Sequence, residues 1–517
     1  MRLHDYLEYR ARTSPELEFA VDGPRRLLYG EADALANRIA RALAARLEPG
    51  ERFAVLAKNC LELALVYFAA SKAGVVPVPL NYRLAPTEWA FIVNDAGARL
   101  LVARAELAAA IDGVRAELPG VRHRVAIGGT PPGWEEWESF LAGQAGDPLG
   151  GSIPEEADVY QMYTSGTTGR PKGAVLTHRA VCANVHQSGM NFAGGPGERA
   201  LIVAPLYHAA AGIVSFTTVA AGGSLFLQED FDPRRVVHAL AEERIALALL
   251  VPAMIQFCLV AVPDAVERRY PQLRRIVYGA SPIAEETLRA AARVFRCEFL
   301  QGYGLTETTA VATHLSPADH RRALDGEPGL LASAGRAILG TELRIADAEG
   351  RELPVGSVGE ILVRGPQLMR CYWNLPDATR EALRDGWLYT GDAGRLDAEG
   401  YLYIQDRVKD MIVSGGENVY PREVEDVLYQ HPAVADAAVI GVPDDAWGEV
   451  VKAIVVRRPG AMASAAELVE FCRQRLAGYK RPRSVDFVEA LPRNPSGKVL
   501  KRELREPYWR GRARRVN

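Results

Sequence analysis

Residues 52–103, RFAVLAKNCLELALVYFAASKAGVVPVPLNYRLAPTEWAFIVNDAGARLLVA, decide the fold class. Three short aliphatic runs, RFAVLAK, VVPVPL and ARLLVA, alternate with helical patterns at 61–73 and 86–95. This alternation is typical of βαβ units, whose parallel sheet is covered by helices on both faces. We therefore predict an α/β protein.

The same rhythm weakens over 104–156 and resumes after Asp158. Helices are predicted around 177–190, 211–221, 232–244, 253–262 and 284–294. The strands predicted between them are DVYQMY (158–163), RALIVAP (199–205), SLFLQ (224–228), ALALLV (246–251), RRIVYG (274–279) and CEFLQG (297–302). Two doubly wound sheets in series explain this pattern most simply. Over 335–405, short strands separated by AEGRELPVGSVG indicate a small antiparallel β unit.

A second domain is predicted from residue 406 onward. The segment DRVKDMIVSGGENVYP (406–421) precedes an acidic helix at 422–429, the strands AAVIGV and KAIVVRR, a helix at 465–476 and the strand SVDFVE. About 110 residues of this kind suffice for an α+β domain that folds independently. We predict an N-terminal domain over 1–405 and a C-terminal domain over 406–517.

Composition excludes several classes of protein. The 517 residues are 48% hydrophobic, which excludes a mainly disordered chain. With 61 basic and 64 acidic residues, the chain lacks the net positive charge that would favour binding to nucleic acid, so small ligands are expected. No secretory signal or transmembrane run is recognised, and six scattered cysteines suit a reducing cytoplasm. The basic tail WRGRARRVN is read as a solvated terminus, with weak peripheral membrane contact as the alternative.

The segment YTSGTTGRPKG (163–173) carries the strongest chemical signal. Its glycines permit a backbone that presents successive N–H groups, and four hydroxyls and Lys172 add donors without an acidic side chain. This combination favours a polyphosphate cradle over an ordinary Gly/Thr turn. It is not a Walker A loop, because Pro171 stands where that motif needs its second glycine. The segment is predicted to follow a strand and to precede a helix capped by Thr177.

Three further segments carry weaker signals. In QGYGLTE (301–307), Tyr303 can stack on a base and Glu307 can hold a Mg²⁺ that bridges phosphates. In WLYTGD (387–392), Asp392 can accept both ribose hydroxyls, although a solvated acidic turn explains it equally well. In PRNPSGK (492–498), a glycine presents Lys498, which alone would be read as a surface residue.

Lysine is scarce in this chain. Only eight of the 61 basic residues are lysine, at 58, 72, 172, 409, 452, 480, 498 and 501. Since an ammonium is a compact point charge and a guanidinium is not, the lysines are candidates for specific roles. Chance retention at the surface is the alternative.

Together, the four segments resemble the acyl-CoA synthetases of the adenylate-forming superfamily, which include fatty-acid, aryl and hydroxycinnamate CoA ligases. The resemblance runs from LYGEADALANRIA (28–40) to SGKVLK (496–501). It implies a large N-terminal domain of two doubly wound sheets plus a small β unit, and a mobile α+β C-terminal domain. It also implies a carboxylate joined first to the α-phosphate of ATP and then, as an acyl group, to the thiol of CoA.

The resemblance implies roles for individual residues. Thr164 and Glu307 lie near Mg²⁺, Thr306 meets the α-phosphate, and Lys498 stands between carboxylate and α-phosphate. The catalytic residues are then Lys498, His208, Glu307 and Thr306. The residues that bind ATP are Thr164, Ser165, Gly166, Thr167, Thr168, Gly169, Lys172, Tyr303, Thr306, Asp392, Arg407 and Lys498.

The same resemblance implies that the small domain rotates about a hinge at Asp406. Rotation removes Lys498 from the site and brings in the loop 409–418, which forms part of a pantetheine channel. The CoA contacts implied are Lys409, Gly415, Gly416, Trp447, Arg481 and Arg483.

His208, in PLYHAAAG (205–212), matches the aromatic gate of this family, although a packing histidine is the alternative. The implied acyl pocket comprises His208, Ala209, Gly212, Ile213, Gly279, Ala280, Gly302 and Val311. Apart from His208, these residues are small or apolar, which fits an uncharged tail. Amino-acid-activating relatives place an aspartate just after the gate, where this chain has Ala209, which argues against an amino-acid substrate.

We therefore expect a cytoplasmic carboxylate–CoA ligase that uses ATP and Mg²⁺, is a monomer or homodimer, and acts on medium- or long-chain fatty acids. Aryl and hydroxycinnamate CoA ligases are the nearest alternatives. A carrier-protein-loading adenylation enzyme is a third. A non-catalytic nucleotide-binding relative is disfavoured, because Lys498, Glu307, Asp392 and Arg407 are all present.

Overall fold

The structure, a computed structural model, describes residues 1–164, 170–192, 194–280, 283, 285–407, 410–414, 417–444, 447–493 and 499–510, with the backbone alone at 406, 407 and 418. The chain divides into two compact units. The first comprises Met1–Leu343 and Val363–Tyr389, and the second comprises Arg344–Leu362 and Thr390–Asn517. The domain boundary expected between residues 405 and 406 stays a prediction.

The first part of the chain builds a five-stranded parallel sheet in the order β4-β3-β5-β6-β7. Its elements and those before it are α1 (Leu3–Thr13), β1 (Glu18–Asp22), β2 (Arg25–Leu28), α2 (Tyr29–Ala44), β3 (Arg52–Leu56), α3 (Leu61–Ala73), β4 (Val76–Pro79), α4 (Pro86–Ala96), β5 (Leu100–Arg104), α5 (Ala108–Asp112), β6 (His123–Ile127), β7 (Glu135–Glu136) and α6 (Trp137–Phe140). The predicted βαβ pattern of 52–103 is confirmed. Helix α3 is buried throughout and ends at Gly74, whose positive φ of 69° closes the helix as a left-handed cap.

A nine-stranded sheet follows in the order β16-β15-β14-β13-β12-β10-β11-β1-β2. The elements of this region are β8 (Asp158–Thr164), β9 (Lys172–Thr177), α7 (His178–Phe192), β10 (Arg199–Ile202), α8 (Ala209–Ala220), β11 (Ser224–Leu227), α9 (Pro233–Glu242), β12 (Ile245–Leu249), α10 (Pro252–Ala261), β13 (Arg275–Gly279), α11 (Glu285–Phe295), β14 (Glu298–Tyr303), β15 (Thr313–Leu315), α12 (Pro317–Asp325) and β16 (Arg336–Ala337). The six adjacent strands β14-β13-β12-β10-β11-β1 are parallel, as predicted. The outer strands β15, β16 and β2 pair antiparallel with their neighbours.

One predicted strand has a different partner. The strand DVYQMY, β8, was expected in the second parallel sheet, but it pairs antiparallel with β9 in a separate three-stranded sheet, β19-β9-β8. Its third strand comes from about 200 residues further along the chain, which local sequence patterns cannot indicate.

The remaining chain contains a small antiparallel sheet and an α+β region, as predicted. Its elements are β17 (Glu342–Ala346), β18 (Gly359–Arg364), β19 (Cys371–Tyr372), α13 (Pro376–Ala382), β20 (Leu383–Arg384), β21 (Trp387–Leu396), β22 (Leu402–Arg407), β23 (Ile412–Ser414), β24 (Glu417–Val419), α14 (Pro421–Tyr429), β25 (Val434–Asp444), β26 (Gly448–Arg457), α15 (Ala465–Arg473), β27 (Ser484–Phe487) and α16 (Lys501–Trp509). The small sheet has the order β17-β18-β21-β20, with β22 beside β21, and the last sheet has the order β24-β23-β26-β25, with β27 beside β26. None of the helices described has both the length and the apolar character needed to cross a bilayer.

An aromatic cluster joins the sheets of the first unit. Tyr67 on α3 packs edge-on against Tyr160 on β8 and Phe216 on α8, with ring centroids 5.8 and 5.4 Å apart. The Tyr67 hydroxyl donates to the carbonyl of Leu206 at 2.7 Å. The cluster therefore fixes β8 and the start of α8 on one core.

A second group of contacts holds the β8–β9 hairpin. The buried Arg52 guanidinium bonds Asp158 at 2.6 Å and lies 3.5 Å from the ring centroid of Trp373. The Trp373 indole donates to the carbonyl of Asp95 at 3.0 Å, and the Tyr163 hydroxyl donates to the Asp95 carboxylate at 2.6 Å. Both ends of the hairpin are thus tied to α4 and to the segment after β19.

Acid should destabilise the first unit through His178. This histidine is fully buried, its Nδ1 accepts the N–H of Leu3, and burial lowers its pKa to about 3. In the unfolded chain its pKa is about 6.5, so below that pH the unfolded state binds a proton that the folded state excludes. The contribution of His178 to the free energy of unfolding is therefore fully present above pH 6.5 and is lost as the pH falls toward 3.

The expected loss between pH 7 and pH 5 is about 2 kcal/mol. Denaturant unfolding of the wild type and of His178→Asn, which keeps an acceptor, measures it. The difference in unfolding free energy between the wild type and His178→Asn should change by about 2 kcal/mol between pH 7 and pH 5. A constant difference would show that His178 is not the titrating group.

Candidate active site

The predicted polyphosphate loop lies between two strands. It connects β8 to β9, with Thr164 directly opposite Lys172 at its mouth. The helix predicted after the loop is α7, which begins at His178, and strand β9, which the sequence pattern did not indicate, lies between the loop and this helix. The cap is confirmed, because Thr177 Oγ1 accepts the N–H of Ala180 at 3.2 Å. The loop residues predicted to bind ATP that lie outside the described residues are Ser165, Gly166, Thr167, Thr168 and Gly169.

A tyrosine brings Lys172 and Glu307 together. Strand β19 pairs with β9 and places Tyr372 opposite Ala174. The Tyr372 hydroxyl donates to Glu307 Oε1 at 2.6 Å, and the Lys172 ammonium lies 5.0 Å from the same ring. Sequence reasoning missed Tyr372, because a single tyrosine in RCYWN belongs to no motif and only the strand pairing reveals it.

The oxygen atoms near the loop fit a Mg²⁺ ion. Oε1 of Glu307 is held by Tyr372, while the described residues donate no hydrogen bond to Oε2. Thr164 adds a hydroxyl at the loop mouth. Mg²⁺ prefers oxygen ligands and usually binds one or two protein groups together with phosphates, so this donor set is suitable.

Lys172 differs from the other described lysines. Five of the six pair with carboxylates: Lys58 with Asp230, Lys72 with Glu8 and Asp33, Lys452 with Asp486, Lys480 with Glu423, and Lys501 with Glu425. Lys172 has no such partner within the described ranges. Its positive charge therefore remains available for an anion.

The turn after β14 presents Tyr303, Thr306 and Glu307 from a rigid base. Gly304 has no room for a side chain, because a Cβ would lie 2.2 Å from the carbonyl oxygen of Ala310. Thr309 adopts a positive φ of 64°, and its hydroxyl donates to the carbonyl of Gln367 at 2.7 Å. Tyr303, Thr306 and Glu307 themselves are half-buried, so a ligand can reach them.

His208 stands at the N-terminal end of α8, one residue before Ala209. Its Nε2 atom is shielded from solvent and has no hydrogen-bond partner in the described part of the chain. Its ring centroid lies 4.5 Å from that of Tyr207, and burial lowers its pKa to about 4. The imidazole is therefore neutral at pH 7.

The residues implied for the acyl pocket fall into two groups. Ala209, Gly212 and Ile213 lie on the first turns of α8. Gly279 and Gly302 are paired on β13 and β14, and a Cβ on Gly279 would lie 2.3 Å from the Gly302 carbonyl oxygen.

The other two pocket residues extend the second group. Ala280, which follows Gly279, has a positive φ of 63°. Val311 is fixed by Asn184 of α7, whose amide bonds the Val311 carbonyl at 2.9 Å and N–H at 3.2 Å. Helix α7 also packs against α8, so it contacts both groups.

In the second unit, the pairing of β21 with β22 places Asp392 directly opposite Arg407, and Asp406 opposite Ala393. Asp392 is buried, and its N–H donates to Thr390 Oγ1 at 3.1 Å. Gly391 turns the backbone with a positive φ of 70°. The two predicted ribose ligands are thus neighbours in the sheet, although Asp392 and Arg407 are fifteen positions apart in the chain.

The predicted CoA contacts are placed in part. The Arg483 guanidinium lies 5.6 Å from the ring centroid of Trp447, which is half exposed. Arg481 makes no described contact with this pair. The predicted residues outside the described ranges are Lys409, Gly415, Gly416 and Lys498.

Two family models match the chain. One, described as AMP-binding enzyme, matches residues 7–373. The other, described as AMP-binding enzyme C-terminal domain, matches residues 423–498. The two matches together span both the loop motif and Lys498.

Several characterised proteins are similar over nearly their whole length. A fatty acid–[acyl-carrier-protein] ligase of Streptomyces coeruleorubidus is 40% identical over 98% of this chain and 97% of its own. A long-chain-fatty-acid–CoA ligase of Mycobacterium tuberculosis is 38% identical over 97% of both chains. A feruloyl-CoA synthase of an Amycolatopsis species is 40% identical over 96% of this chain and 97% of its own. Among solved structures, ATP-bound MatB from Rhodopseudomonas palustris is 31% identical, has a TM-score of 0.88, and is covered over 99% of its chain and 98% of this one.

Proposed function

Because this chain belongs to the family of AMP-binding enzymes, we propose that it joins a medium- or long-chain fatty acid to coenzyme A. The chain is an ATP-utilising, AMP-forming acid–thiol ligase, of the class that makes acyl-CoA. In the first step a carboxylate oxygen attacks the α-phosphorus of ATP, and pyrophosphate leaves. In the second step the thiol loses its proton, its sulfur attacks the acyl carbonyl carbon, and AMP leaves.

The main obstacle in the first step is electrostatic. A carboxylate must approach a triphosphate, so catalysis depends on cations and N–H dipoles that are already in position. In this proposal Lys172 and the loop 164–173 bind the β- and γ-phosphates, and Thr306 binds the α-phosphate. Thr164 and Glu307 hold Mg²⁺, which neutralises phosphate charge when it is bound. Lys498 holds the carboxylate against the α-phosphate.

The remaining ATP contacts complete the proposal. Tyr303 stands against the adenine, and Asp392 with Arg407 binds the ribose. The small domain then rotates at Asp406, and Trp447 and Arg483 contact CoA. Since ATP and CoA are cytoplasmic metabolites, a cytoplasmic location is part of the proposal.

The observation that carries this function is the convergence of Lys172 and Glu307 on Tyr372 at the loop mouth. An ammonium that pairs with no carboxylate of the described residues, together with a carboxylate oriented by a hydroxyl, suits the binding of ATP with Mg²⁺.

The small residues on α8 support an aliphatic acid. Toward its C-terminal end the same helix borders an open, largely apolar groove of about 500 Å³ between α7 and α8. Its lining includes Val185, His186, Gln187, Gly189, Met190 and Thr217. In this proposal an alkyl tail runs along α8 from Gly212 toward that groove.

A series of straight-chain acids tests this substrate. Each buried methylene contributes about 0.8 kcal/mol, or roughly fourfold in kcat/KM, so the rate of pyrophosphate release should climb from about C4 until the pocket ends. Gly212→Leu should flatten the climb by filling the pocket. Gly329→Leu is the matched control, because a side chain there meets open space.

Benzoate and coumarate belong in the same series. The paired glycines Gly279 and Gly302 also suit a flat ring, and the feruloyl-CoA synthase is as similar as the fatty-acid relatives. A best rate with a ring acid and no gain beyond C6 would contradict the fatty-acid substrate and favour the aryl one.

A carrier-protein thiol is the second candidate acceptor, favoured by the similarity to a fatty acid–[acyl-carrier-protein] ligase. Transfer from preformed acyl-AMP to CoA and to a phosphopantetheinylated carrier protein, measured side by side, distinguishes the two acceptors.

A further inference from the structure

A row of three residues crosses the large sheet beside the acyl pocket. Gly279 lies opposite Gly302, and Gly302 lies opposite His314 on β15. Residues directly opposite each other in adjacent strands direct their side chains to the same face. A Cβ on Gly302 would lie 3.8 Å from both His314 Cδ2 and the Val311 side chain. The imidazole of His314 therefore borders the space above Gly302.

His314 is a buried histidine for which the described residues provide no hydrogen-bond partner. It is 7% exposed, and neither Nδ1 nor Nε2 has a partner among the residues described. Phe192 packs edge-on against it, with ring centroids 5.5 Å apart. Burial lowers its pKa to about 4, so at pH 7 the ring is neutral and offers one donor and one acceptor. Buried polar groups are nearly always paired, so this one needs an explanation.

Ser188 on α7 shows the same property. It is fully buried, and its hydroxyl has no partner within the described ranges. Asn184, one turn earlier, bonds Val311, and Phe192, one turn later, packs on His314. Residues four apart share a helix face, so Ser188 faces the same part of β14 and β15. Ser188 and His314 are not bonded to each other, so a third group would satisfy both.

We propose that His314 and Ser188 form a polar subsite in the acyl pocket that binds a hydroxyl group of the acid substrate. This inference rests on the proposed function, because it places an acyl chain above Gly279 and Gly302. A hydroxyl both donates and accepts, and therefore complements a neutral imidazole and a serine that can turn to suit it. Since neither side chain carries charge at neutral pH, the subsite selects a neutral polar group over a carboxylate.

The test compares matched acids with the full-length enzyme. Pyrophosphate release is measured with decanoic acid and its monohydroxylated isomers, and with cinnamic and 4-hydroxycinnamic acid. At least one hydroxylated acid should exceed its parent by about tenfold in kcat/KM. His314→Phe should abolish this ratio, whatever the rate with the parent acid, and Ser188→Ala should reduce the ratio. His314→Gln, which keeps a donor and an acceptor, should retain part of it.

His320 supplies the matched control. It is also buried, but its nitrogens are partnered by the Tyr278 hydroxyl at 2.9 Å and the Ser316 carbonyl at 2.8 Å. His320→Gln should leave the ratio unchanged. The ratio does not depend on the fraction of folded enzyme, so a partly unstable variant remains informative.

Two results would overturn the inference: a wild type that prefers no hydroxylated acid, or a His314→Phe variant that loses activity equally with both members of each pair. Turnover of decanoate in either case would leave the proposed function standing. Absence of pyrophosphate release with every acid would overturn the proposed function itself.

Discussion

Replacing Lys498 with alanine is expected to slow acyl-adenylate formation by about 10²–10³, the cost typical of removing one positioned donor from a developing charge. In the proposed mechanism this ammonium holds the carboxylate against the α-phosphate. The C-terminal family model reaches residue 498, which supports the assignment. Transfer from preformed acyl-AMP to CoA should be nearly unchanged, because the small domain has then carried Lys498 away. The two half-reactions are measured separately, as pyrophosphate release and as thioester formation.

Lys501→Ala is the control for this experiment. Lys501 lies three residues away and pairs with Glu425 at 2.9 Å, so its loss should leave both half-reactions intact. Equal loss of both half-reactions in Lys498→Ala would contradict the rotation of the small domain. Loss of the second half-reaction alone would assign Lys498 to the thiol step.

Glu307→Gln is expected to lower kcat/KM for ATP by about 10², because a neutral amide is a poor ligand for Mg²⁺ and does not balance its charge. The amide can still accept the Tyr372 hydroxyl bond, so the turn after β14 should keep its shape. The Mg²⁺ concentration needed for half-maximal pyrophosphate release should rise in parallel.

Tyr372→Phe separates the charge of Glu307 from its orientation. It removes one hydrogen bond to a carboxylate and leaves the charge, so the expected loss is tenfold or less, about 1.4 kcal/mol. If Glu307→Gln kept the wild-type Mg²⁺ dependence, Glu307 would not be the metal ligand. If Tyr372→Phe were as damaging as Glu307→Gln, positioning and not charge would dominate.

Local patterns predicted most of the parallel fold, because the features that determine those elements lie within each segment. Helix α3 is mostly apolar and is followed by Gly74, so both its existence and its end could be predicted. The hairpin at the loop could not be read in the same way. KGAVLT (172–177) lies between the predicted loop and the predicted helix and was not predicted as a strand; it becomes β9 by pairing with β8 and with β19.

The site residues could be predicted where they belong to a sequence motif. Asp392 and Arg407 were assigned through the family resemblance, and the strand pairing of β21 with β22 places them opposite each other. Tyr372 and His314 were not predictable, because each is a single residue in an ordinary strand. Only tertiary structure shows that Tyr372 bonds Glu307 and that His314 is buried with no hydrogen-bond partner among the residues that the structure describes.

The hairpin contacts described above also bear on how such a gene can evolve. Arg52 on β3, Asp95 on α4 and Trp373 after β19 anchor the hairpin that bears the phosphate loop, whereas Gly279, Gly302 and His314 lie in a row on the nine-stranded sheet. If the row borders the bound acid, as proposed, mutations in it leave the anchors of the hairpin untouched, so selection on the acid and selection on nucleotide binding act on separate codons. Homologues at 38–40% identity that are named for fatty and for aryl acids are what such a division would produce. A lineage can thus acquire a new carboxylic acid by a few changes in the row, without passing through an ancestor that has lost ATP binding.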